Sequence, residues 1–409
     1  MKVFLVGGAV RDMLMGLEPK DKDYVVVGSS AEEMLAAGFE KVGADFPVFL
    51  KDHEEYALAR REKKTGTGYL GFTSEFGADV TLEEDLGRRD LTMNSIAIKQ
   101  VDDENSPELR MIDPYNGMSD IRNKVLRHTS NAFEEDPVRV LRLARFRARL
   151  GAEWSVAPET VSLVARMAKK GVLNELTSER VWKELSRALM EPHARLFFDT
   201  LLECDALHVL FPEVYRLKTA MEARRWHPEG DAYEHTMLVL TQAVRNDFDL
   251  EARLACLVHD FGKGLTPRDK LPSHFGHEVS GVAVAESFCN RLSVPARKRN
   301  RVMKTTRFHM HCHKLGELNS KTWVKMFMEM DAFRDPDVVF LLWSVGVCDH
   351  NGRLGSENDD TDHLVKLLDV WNNVKSVKFD QVFSTPWPTD PVKIKDGMFK
   401  ARVQAVKSA

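Results

Sequence analysis

Apolar positions follow two different spacings along this chain, and the spacing changes near residue 113. Lys2–Val6 is a short apolar run that ends at a Gly-Gly turn, and residues 9–17 follow with helical spacing. Asp23–Val27 predicts a neighbouring strand, and Ser30 predicts the N-cap of a helix over residues 31–37. The chain therefore begins with a region that mixes strands and helices.

Strand patterns continue for about one hundred residues and then stop. Apolar runs at residues 39–42, 46–51 and 54–60 predict further strands, the last two joined in a hairpin through Asp52-His53. The turn sequence Asp113-Pro114-Tyr115-Asn116-Gly117 marks a domain boundary, because almost everything after it has helical spacing. We therefore predict an α+β protein with an N-terminal mixed sheet and a helical remainder.

Composition limits the possible class of protein without changing the predicted fold. A length of 409 residues allows two to four domains, and 43% hydrophobic with 29% charged residues is typical of a globular protein. The sequence shows neither a membrane-length apolar run nor a signal-peptide pattern, so we expect a cytoplasmic protein without a membrane partner. Five scattered cysteines predict reduced, partly buried thiols. A net charge of −4 argues against a surface coated with nucleic-acid-binding charge but permits a local basic stripe.

The turn at Gly7-Gly8 is the first candidate site. Backbone N–H groups at a helix N-terminus favour an anion, missing Cβ atoms let a phosphate approach, and Arg11 adds a fixed cation. Asp21 and Asp23 are expected to project from one strand face, where paired carboxylates usually bind Mg²⁺. Either motif alone is most often a solvated loop, but together they indicate nucleotidyl transfer by two metal ions.

Two further segments extend this candidate nucleotide site. In Arg88-Arg89-Asp90, Arg89 suits phosphate, and Asp90 with Asn94 suits sugar hydroxyls, although a charged helix face is the simpler alternative. Residues 63–69, which combine charged, glycine and hydroxyl residues, are either a surface loop or a loop that orders over substrate.

A predicted helix after the boundary carries an acidic cap and a basic stripe. Asp136 is a typical N-cap, with Pro137 at the first helical position. The stripe consists of Arg139, Arg142, Arg145 and Arg149. A solvated basic face is the usual explanation, but Asp136 and Arg139 share a face and together could bond the Watson–Crick edge of cytosine or adenine.

Histidine and aspartate residues mark a third candidate site. The apolar helix predicted over residues 254–258 ends at His259-Asp260. Other members lie on neighbouring predicted helices: His235, His277 and Asp349. This combination predicts a metal site in a helical bundle, with capping and surface roles as the alternative; His311 and His313 are assigned to that alternative. The basic C-terminal residues, including Lys393 and Lys400, suit an RNA-contacting or a frayed end.

Five motifs occur in an order that resembles one known family. They are GGAVRD with DKD, EEDLGRRDLTMNSIA, DPYNG, EEDPVRVLRLARF and TSERVWKEL. From residue 1 to about 360 the chain looks like a class II CCA-adding tRNA nucleotidyltransferase of the bacterial kind that carries an HD domain. The resemblance implies a polymerase beta-like nucleotidyltransferase head (residues 1–125), a neck and body (126–222), an HD-type helical domain (223–350) and a helical tail (351–409).

The resemblance also implies an activity and its partners. Such an enzyme adds or repairs the 3′-terminal CCA of tRNA from CTP and ATP without a nucleic-acid template, and the tRNA 3′-hydroxyl attacks the nucleotide α-phosphate. The implied partner is the acceptor stem and 3′ end of tRNA, and the protein is expected to be a monomer or homodimer. The alternatives are a poly(A) polymerase, a partial CC- or A-adding enzyme, and a protein that is mainly an HD phosphohydrolase.

The residues implied by the resemblance coincide with the candidates above. Asp21 and Asp23 would be the catalytic carboxylates that hold Mg²⁺. The nucleotide-binding set would be Gly8, Arg11, Arg89, Asp90, Asp136, Arg139 and Arg142. Asp136 and Arg139 would select the base, and residues 65–69 would form a flexible loop that lets the specificity change from C to A.

For the HD region the resemblance implies a metal-dependent phosphatase or 2′,3′-cyclic phosphodiesterase. Its site would comprise His235, His259, Asp260, His277 and Asp349, with a divalent transition metal for which Ni²⁺ is one candidate. Members of the family usually have His-Asp where this chain has His309-Met310, so metal binding is expected to be weakened or altered here.

Overall fold

The computed structural model describes residues 1–42, 48–64, 72–99 and 111–407. The chain forms two compact units. The first consists of Met1–Glu184 and Leu196–Leu210, and the second of Leu185–Arg195 and Phe211–Ala409.

The strands lie early in the first unit. They are β1 (Lys2–Val6), β2 (Asp23–Val27), β3 (Glu40–Val42), β4 (Val48–Lys51), β5 (Glu54–Leu58), β6 (Arg60–Lys64), β7 (Phe72–Phe76), β8 (Ala97–Lys99), β9 (Met111–Ile112), β10 (Val125–Leu126) and β11 (Ser155–Val156). Seven of them form one sheet in the order β3-β4-β5-β2-β1-β8-β9. The pair β2–β5 is parallel and the other neighbouring pairs are antiparallel, so the prediction of a mixed sheet is confirmed.

Helices occur between the strands and then continue as far as Lys407. In chain order they are α1 (Gly8–Leu14), α2 (Ala31–Ala36), α3 (Leu82–Gly87), α4 (Gly117–Asn123), α5 (Val138–Leu150), α6 (Pro158–Lys169), α7 (Ser178–Leu189), α8 (Arg195–Glu203), α9 (Leu207–Leu210), α10 (Pro212–Arg216), α11 (Ala232–Arg245), α12 (Leu250–Val258), α13 (His277–Arg291), α14 (Ala296–Phe308), α15 (Ser320–Glu329), α16 (Asp337–Asn351), α17 (Val365–Ser376), α18 (Phe379–Val382) and α19 (Pro391–Lys407). The predicted α+β class is therefore confirmed.

Side chains of β1 alternate between two cores. Leu5 belongs to one apolar cluster, and Phe4 with Val6 belongs to another, as the two-residue period of a strand requires. Ser30 and Glu33 form a capping box that starts α2, which confirms the predicted helix start.

The second unit has its own apolar core. Trp323, Phe327 and Trp371 are buried at its centre. The terminal helix α19 packs against α15 and α17, and the Arg402 guanidinium lies 3.5 Å from the centre of the Phe333 ring. The last described residues are therefore an ordered, packed helix, and the expectation of a frayed end is wrong.

The cysteines and the lengths of the apolar helices bear on two predictions made from composition. All five cysteines are free and buried, which confirms the prediction for the thiols and extends it from some of them to all. Among the residues described, no helix is both long enough and apolar enough to span a bilayer.

Candidate functional sites

Two arginine side chains meet at the glycine turn between β1 and α1. Gly7 has φ +72°, and a Cβ atom there would lie 2.8 Å from a guanidinium nitrogen of Arg89. A Cβ atom on Gly8 would lie 3.5 Å from the Arg11 guanidinium. The buried Nε of Arg89 makes no hydrogen bond within the described chain. The missing side chains thus let two cations approach a helix N-terminus, which suits a polyanion such as a triphosphate.

The two predicted catalytic carboxylates lie at the start of the neighbouring strand. Asp23 is the first residue of β2 and is paired in register with Val6, the residue before the glycine turn. Asp21 lies just ahead of the strand, and both aspartates are exposed. Accessible carboxylates fit Mg²⁺, which prefers oxygen ligands and retains several of its waters.

A buried hydrogen-bonded chain joins the glycine turn to helix α5. Arg11 donates to Asn94 Oδ1 at 2.8 Å, Asn94 donates to Asp90 Oδ1 at 2.9 Å, and Arg142 donates to Asp90 Oδ2 at 2.7 Å. Burial by itself would raise the pKa of Asp90, but Arg142 and Asn94 outweigh it and hold that pKa below its usual value. Asn94, for which contacts with sugar hydroxyls were predicted, connects Arg11 with Asp90.

Asp85, a buried residue near this site, was not predicted as a site residue. Its oxygens accept hydrogen bonds from Arg88 at 2.8 Å and from Arg89 at 3.3 Å, and it also accepts one from the Arg60 N–H. Burial opposes its ionisation, but Arg89 and Arg88 together lower its pKa. Asp85 therefore holds Arg89 beside Gly7.

Arg139 is on α5 and Asp136 lies two residues before that helix, and each is hydrogen-bonded to other residues. Asp136 Oδ1 accepts from the Val138 N–H at 3.2 Å, and Oδ2 accepts from Arg180 at 2.7 Å. The N-cap is Pro137, one residue after the predicted cap at Asp136, and the helix begins at Val138. The buried Arg139 side chain donates to the Ala132 carbonyl oxygen. Arg180 was missed as a site residue, although its capped helix was recognised.

The other arginines of α5 are also partnered, so the solvated basic face considered above is not what the structure contains. The pairs and their distances are Arg142–Asp90 at 2.7 Å, Arg145–Glu184 at 2.6 Å and Arg149–Asp12 at 3.9 Å. Three of the guanidinium groups, on Arg11, Arg142 and Arg145, lie within 5.2–5.8 Å of the centre of the Phe146 ring. Aromatic contact and ion pairs thus hold α5 to the glycine turn.

A separate centre lies in the second unit, where the ends of several helices meet. His235 is on α11, His259 and Asp260 directly follow α12, and His277 is the first residue of α13. The remaining members are His309, which directly follows α14, and Asp349 near the end of α16. Gly262 allows the approach, because a Cβ atom there would lie 2.0 Å from the His277 carbonyl oxygen.

Backbone carbonyl groups orient three of these imidazole rings in the same way. The Nδ1 atoms of His259, His277 and His309 lie 2.7–2.8 Å from the carbonyl oxygens three residues earlier in the chain. A carbonyl oxygen only accepts, so each Nδ1 carries a proton, and Nε2 is the atom that each ring turns to the centre, where it offers a lone pair when the ring is neutral. This is the usual orientation of a metal-binding histidine.

The Nε2 atoms converge on the Asp260 carboxylate. Oδ2 lies 3.2 Å from His259 Nε2 and 3.7 Å from His235 Nε2, whereas Oδ1 lies 3.1 Å from His277 Nε2 and 3.5 Å from His309 Nε2. His259 Nε2 and Asp260 Oδ1 are buried and, among the described residues, lack a hydrogen bond of acceptable geometry. Two ligands at right angles, each about 2.1 Å from one ion, are about 3 Å apart, so these spacings fit a bound metal.

Charged groups surround this centre. Lys263 Nζ lies 2.7 Å from Asp260 Oδ2 and 2.6 Å from Glu222. Burial by itself would raise the pKa of Asp260, but the neighbouring His259 and Lys263 outweigh it and hold that pKa well below its usual value. Burial opposes protonation of His235, but hydrogen bonds to Asp349 and Glu229 raise its pKa to about 9. Negative charge thus accumulates here and favours a cation.

Several residues of this centre were not predicted as its ligands or their partners. They include His309 and Glu229, which lies 3.0 Å from His235 Nδ1. His313, assigned to the surface, lies 2.8 Å from Asp349 Oδ2, so that expectation is wrong. Helical spacing could not reveal these contacts because the residues lie in the connections between helices. A cavity of about 1030 Å³ opens beside the centre and is lined by Lys263, His277, His309 and Arg353, among others.

Residues 65–69, predicted to act as a flexible loop, lie outside the described residues.

Comparison with known proteins gives three family matches. The chain matches the family described as "Poly A polymerase head domain" over residues 3–127. It matches "Probable RNA and SrmB- binding site of polymerase A" over residues 154–217 and "HD domain" over residues 232–371. The predicted polymerase-type head and HD-type helical domain are confirmed.

Full-length relatives agree with these matches. The chain is 44% identical to the Multifunctional CCA protein of Mannheimia succiniciproducens, over 100% of this chain and 97% of the relative. It is similar in structure to a CCA-adding enzyme in complex with ATP, with a TM-score of 0.63 at 19% identity over 99% of this chain and 86% of the other. It is also similar to the Bacillus stearothermophilus CCA-adding enzyme in complex with CTP, with a TM-score of 0.61 at 20% identity over 99% and 89% of the two chains.

Proposed function

The chain belongs to the multifunctional CCA protein family, and on that premise we propose that it adds or repairs the 3′-terminal CCA of tRNA from CTP and ATP without a nucleic-acid template. One observation carries the proposal: Arg11 and Arg89 converge on the glycine turn, and Asp23 is paired with the residue before that turn. Phosphate-binding cations and metal-binding carboxylates thus lie at neighbouring strand ends.

The residues of this site divide the work of nucleotidyl transfer. Asp21 and Asp23 would hold Mg²⁺, which when bound supplies positive charge to the phosphate oxygens and the attacking hydroxyl. Arg11 and Arg89 orient the triphosphate and neutralise the leaving pyrophosphate. A bond forms between the tRNA 3′-oxygen and the α-phosphorus, and the bond from that phosphorus to pyrophosphate breaks.

Selection of the base is assigned to α5 and its cap. Asp136 and Arg139 would offer an acceptor and donors to the Watson–Crick edge of cytosine or adenine, and Arg142 would contact phosphate. Asp136 already accepts from Arg180 and from the backbone, and a carboxylate has room for further hydrogen bonds. Recognition of the acceptor stem then requires only its shape and backbone charge.

Product length tests this proposal against the alternatives. The purified protein is incubated with tRNA that ends at the discriminator base, together with CTP and ATP. We expect three added residues with the sequence CCA. Longer products would indicate a poly(A) polymerase, and products that stop at CC or add only A would indicate a partial enzyme.

A second candidate function is a metal-dependent phosphohydrolase in the HD domain. The buried, unbonded atoms His259 Nε2 and Asp260 Oδ1 favour it, because imidazole and carboxylate groups turned inward without proton donors fit a divalent transition metal. Phosphate release from p-nitrophenyl phosphate and release of AMP from 2′,3′-cyclic AMP by ring opening, each with Ni²⁺ or Co²⁺ added, test it. We expect release that a chelator abolishes; no release with either metal would contradict this function.

A further inference from the structure

Two exposed aromatic side chains lie at the cavity beside the histidine centre. Phe275 is fully exposed and Trp226 is 60% exposed. Both line the cavity of about 1030 Å³ that His277 and His309 also line. A single exposed apolar side chain is ordinary on a protein surface and needs no explanation. Two exposed aromatic rings at the open edge of one cavity form a surface on which a flat ligand can lie.

We propose that Trp226 and Phe275 bind the nucleobase of the phosphate ester that the HD domain hydrolyses, so that the domain prefers nucleotides to esters without a base. The proposal rests on the hydrolytic function proposed for this domain. It assigns the specificity for one part of the substrate, the base, to residues outside the histidine centre.

The backbone that carries Trp226 is held in a turn connected to the centre. The N–H groups of Trp226 and His227 both donate to the Ala223 carbonyl oxygen, at 2.8 and 3.0 Å. His227 Nδ1 lies 2.8 Å from the Glu229 carboxylate, which also lies 3.0 Å from His235 Nδ1. The position of the indole is therefore linked to that of a residue in the centre.

The backbone that carries Phe275 is held in a similar way. The preceding residue, His274, donates from Nε2 to the Met221 carbonyl oxygen at 3.0 Å, which joins this segment to the one that contains Trp226. Two residues after Phe275, His277 begins α13 and turns its Nε2 to the centre. Aromatic side chains on a fixed backbone have only two torsions to order, so contact with a ligand costs little conformational entropy.

The chemistry of the cavity matches the two parts of a nucleotide. The Arg225 guanidinium lies over the Trp226 ring, 4.9 Å from its centre, and the opposite face of the indole can stack on a base. Arg353 lines the same cavity, and its buried Nε makes no hydrogen bond within the described chain. An N–H group without an acceptor suits a phosphate oxygen.

Other occupants use only part of this arrangement. The cavity is as large as the largest ordinary small-molecule sites, which reach roughly 1000 Å³, so an ester without a base would leave the two rings in water. An apolar protein segment would contact the rings but would bring no anion to Arg353 or to the exposed Lys314, which also lines the cavity. A nucleotide satisfies both regions.

Two substrates that differ only in the base test the proposal. They are 2′,3′-cyclic AMP and methyl riboside 2′,3′-cyclic phosphate, and ring opening is measured on the full-length chain with Co²⁺ added. Trp226→Ala and Phe275→Ala should each raise KM for 2′,3′-cyclic AMP by roughly 5- to 100-fold, the usual effect of losing one stacking contact, with kcat little changed. Neither variant should change KM for the ester without a base.

Matched variants show whether the ring itself matters. Trp226→Phe and Phe275→Tyr keep an aromatic ring and should retain a KM close to that of the parent. Phe340→Ala removes a ring that is 53% exposed and is not among the residues that line the cavity, so it should leave both values of KM unchanged. Melting temperatures show whether each variant is folded.

Binding without metal separates this proposal from the hydrolytic function. Equilibrium dialysis with radiolabelled 2′,3′-cyclic AMP and a chelator compares the parent with the double variant Trp226→Ala, Phe275→Ala. Because both variants have the same first unit, any difference in binding comes from the second unit, and we expect weaker binding by the double variant.

Each outcome decides one of the two proposals. If neither ester is hydrolysed but the double variant binds more weakly, the hydrolytic function is wrong and the base-binding role stands. If the esters are hydrolysed and the double variant has the KM and the binding of the parent, the base-binding role is wrong. Equal increases of KM for both esters would also overturn it, because the two rings would then act on the sugar phosphate or on the shape of the cavity.

Discussion

Each unit contains a deeply buried aspartate, and the two are compensated in different ways. Asp85 in the first unit accepts hydrogen bonds from Arg88 and Arg89, whose charges are permanent. Asp260 in the second unit has Lys263 on one oxygen, but its other oxygen faces the imidazole nitrogens of His277 and His309. Both carboxylates have a lowered pKa, and the direction of the pKa shift therefore does not distinguish them. The identity and geometry of the partners do, because the arginines satisfy Asp85 within the chain, whereas inward-facing imidazoles are suited to binding a cation.

The largest expected effect separates the two units by activity. Asp23→Asn removes a carboxylate from the exposed pair at the strand edge and should reduce CCA addition by more than roughly 100-fold, since losing only an outer partner of a metal ligand costs up to that much. The same variant should leave phosphate release unchanged, and Asp260→Asn should do the reverse. Both activities are measured on both full-length variants.

If Asp23→Asn retained nucleotide addition, the assignment of the glycine turn and its carboxylates would be wrong. If Asp260→Asn lost addition as well as hydrolysis while remaining folded, the two sites would not be independent.

The second prediction concerns stability and uses Asp85. Asp85→Asn leaves Arg88 and Arg89 without their buried counter-ion and should lower the free energy of unfolding by about 3 kcal/mol at pH 7. Because the pKa of Asp85 is lowered in the folded protein, its contribution is present above the unfolded pKa and is lost as the pH falls. The difference between wild type and variant, measured by urea unfolding, should therefore shrink from about pH 5 downward. A difference that stays constant down to pH 3.5 would contradict this account.

Local signals predicted the elements of the first unit because each is determined by neighbouring residues. The capping box of Ser30 and Glu33 is visible in the sequence. The hairpin turn at Asp52-His53 is equally local, and both residues adopt positive φ in the structure. The glycine turn followed by Arg11 was likewise readable, because strand, turn and helix follow one another directly.

Partners that are distant in sequence could not be read in this way. Asp136 pairs with Arg180, 44 positions later, and Asn94 with Arg11, 83 positions earlier. Their residue types suggested ligand contacts, and in the folded chain both side chains are hydrogen-bonded to residues that are distant in the sequence. The roles of His309 and His313 were missed for the same reason, since a short 3₁₀ helix, His309–Lys314, turns them towards Asp260, which follows α12, and towards Asp349 of α16.

The third prediction tests whether the first site depends on its hydrogen-bonded chain. Asn94→Leu keeps similar size but removes the bonds to Arg11 and Asp90, so both groups lose their fixed positions. Displacement of a catalytic site by about 1 Å can cost roughly 100-fold, and we expect kcat/KM for nucleotide addition to fall by between tenfold and that value. Asn123→Leu, at an exposed asparagine in the same unit, is the matched control and should leave kcat/KM unchanged. Equal rates for wild type and Asn94→Leu would show that Arg11 and Asp90 are positioned by other contacts.

The smallest expected effect tests the second site in a matching way, through Glu229. Its carboxylate lies 3.0 Å from His235 Nδ1 and 2.8 Å from His227 Nδ1, so it orients His235 without facing the proposed metal. Glu229→Gln keeps an acceptor oxygen for His235 but removes the negative charge that increases the basicity of the ring. We therefore expect the Kd for Co²⁺, measured by competition with a chelator, to rise only about tenfold. Glu278→Gln, at another glutamate that lines the cavity, should not change this Kd.

The contrast with Asn94 follows from how the imidazole rings are held. Backbone carbonyls fix His259, His277 and His309, so loss of one side-chain partner disturbs a single ligand of this centre. A loss of 100-fold or more on Glu229→Gln would mean that the histidine centre, like the first site, depends on a side-chain network.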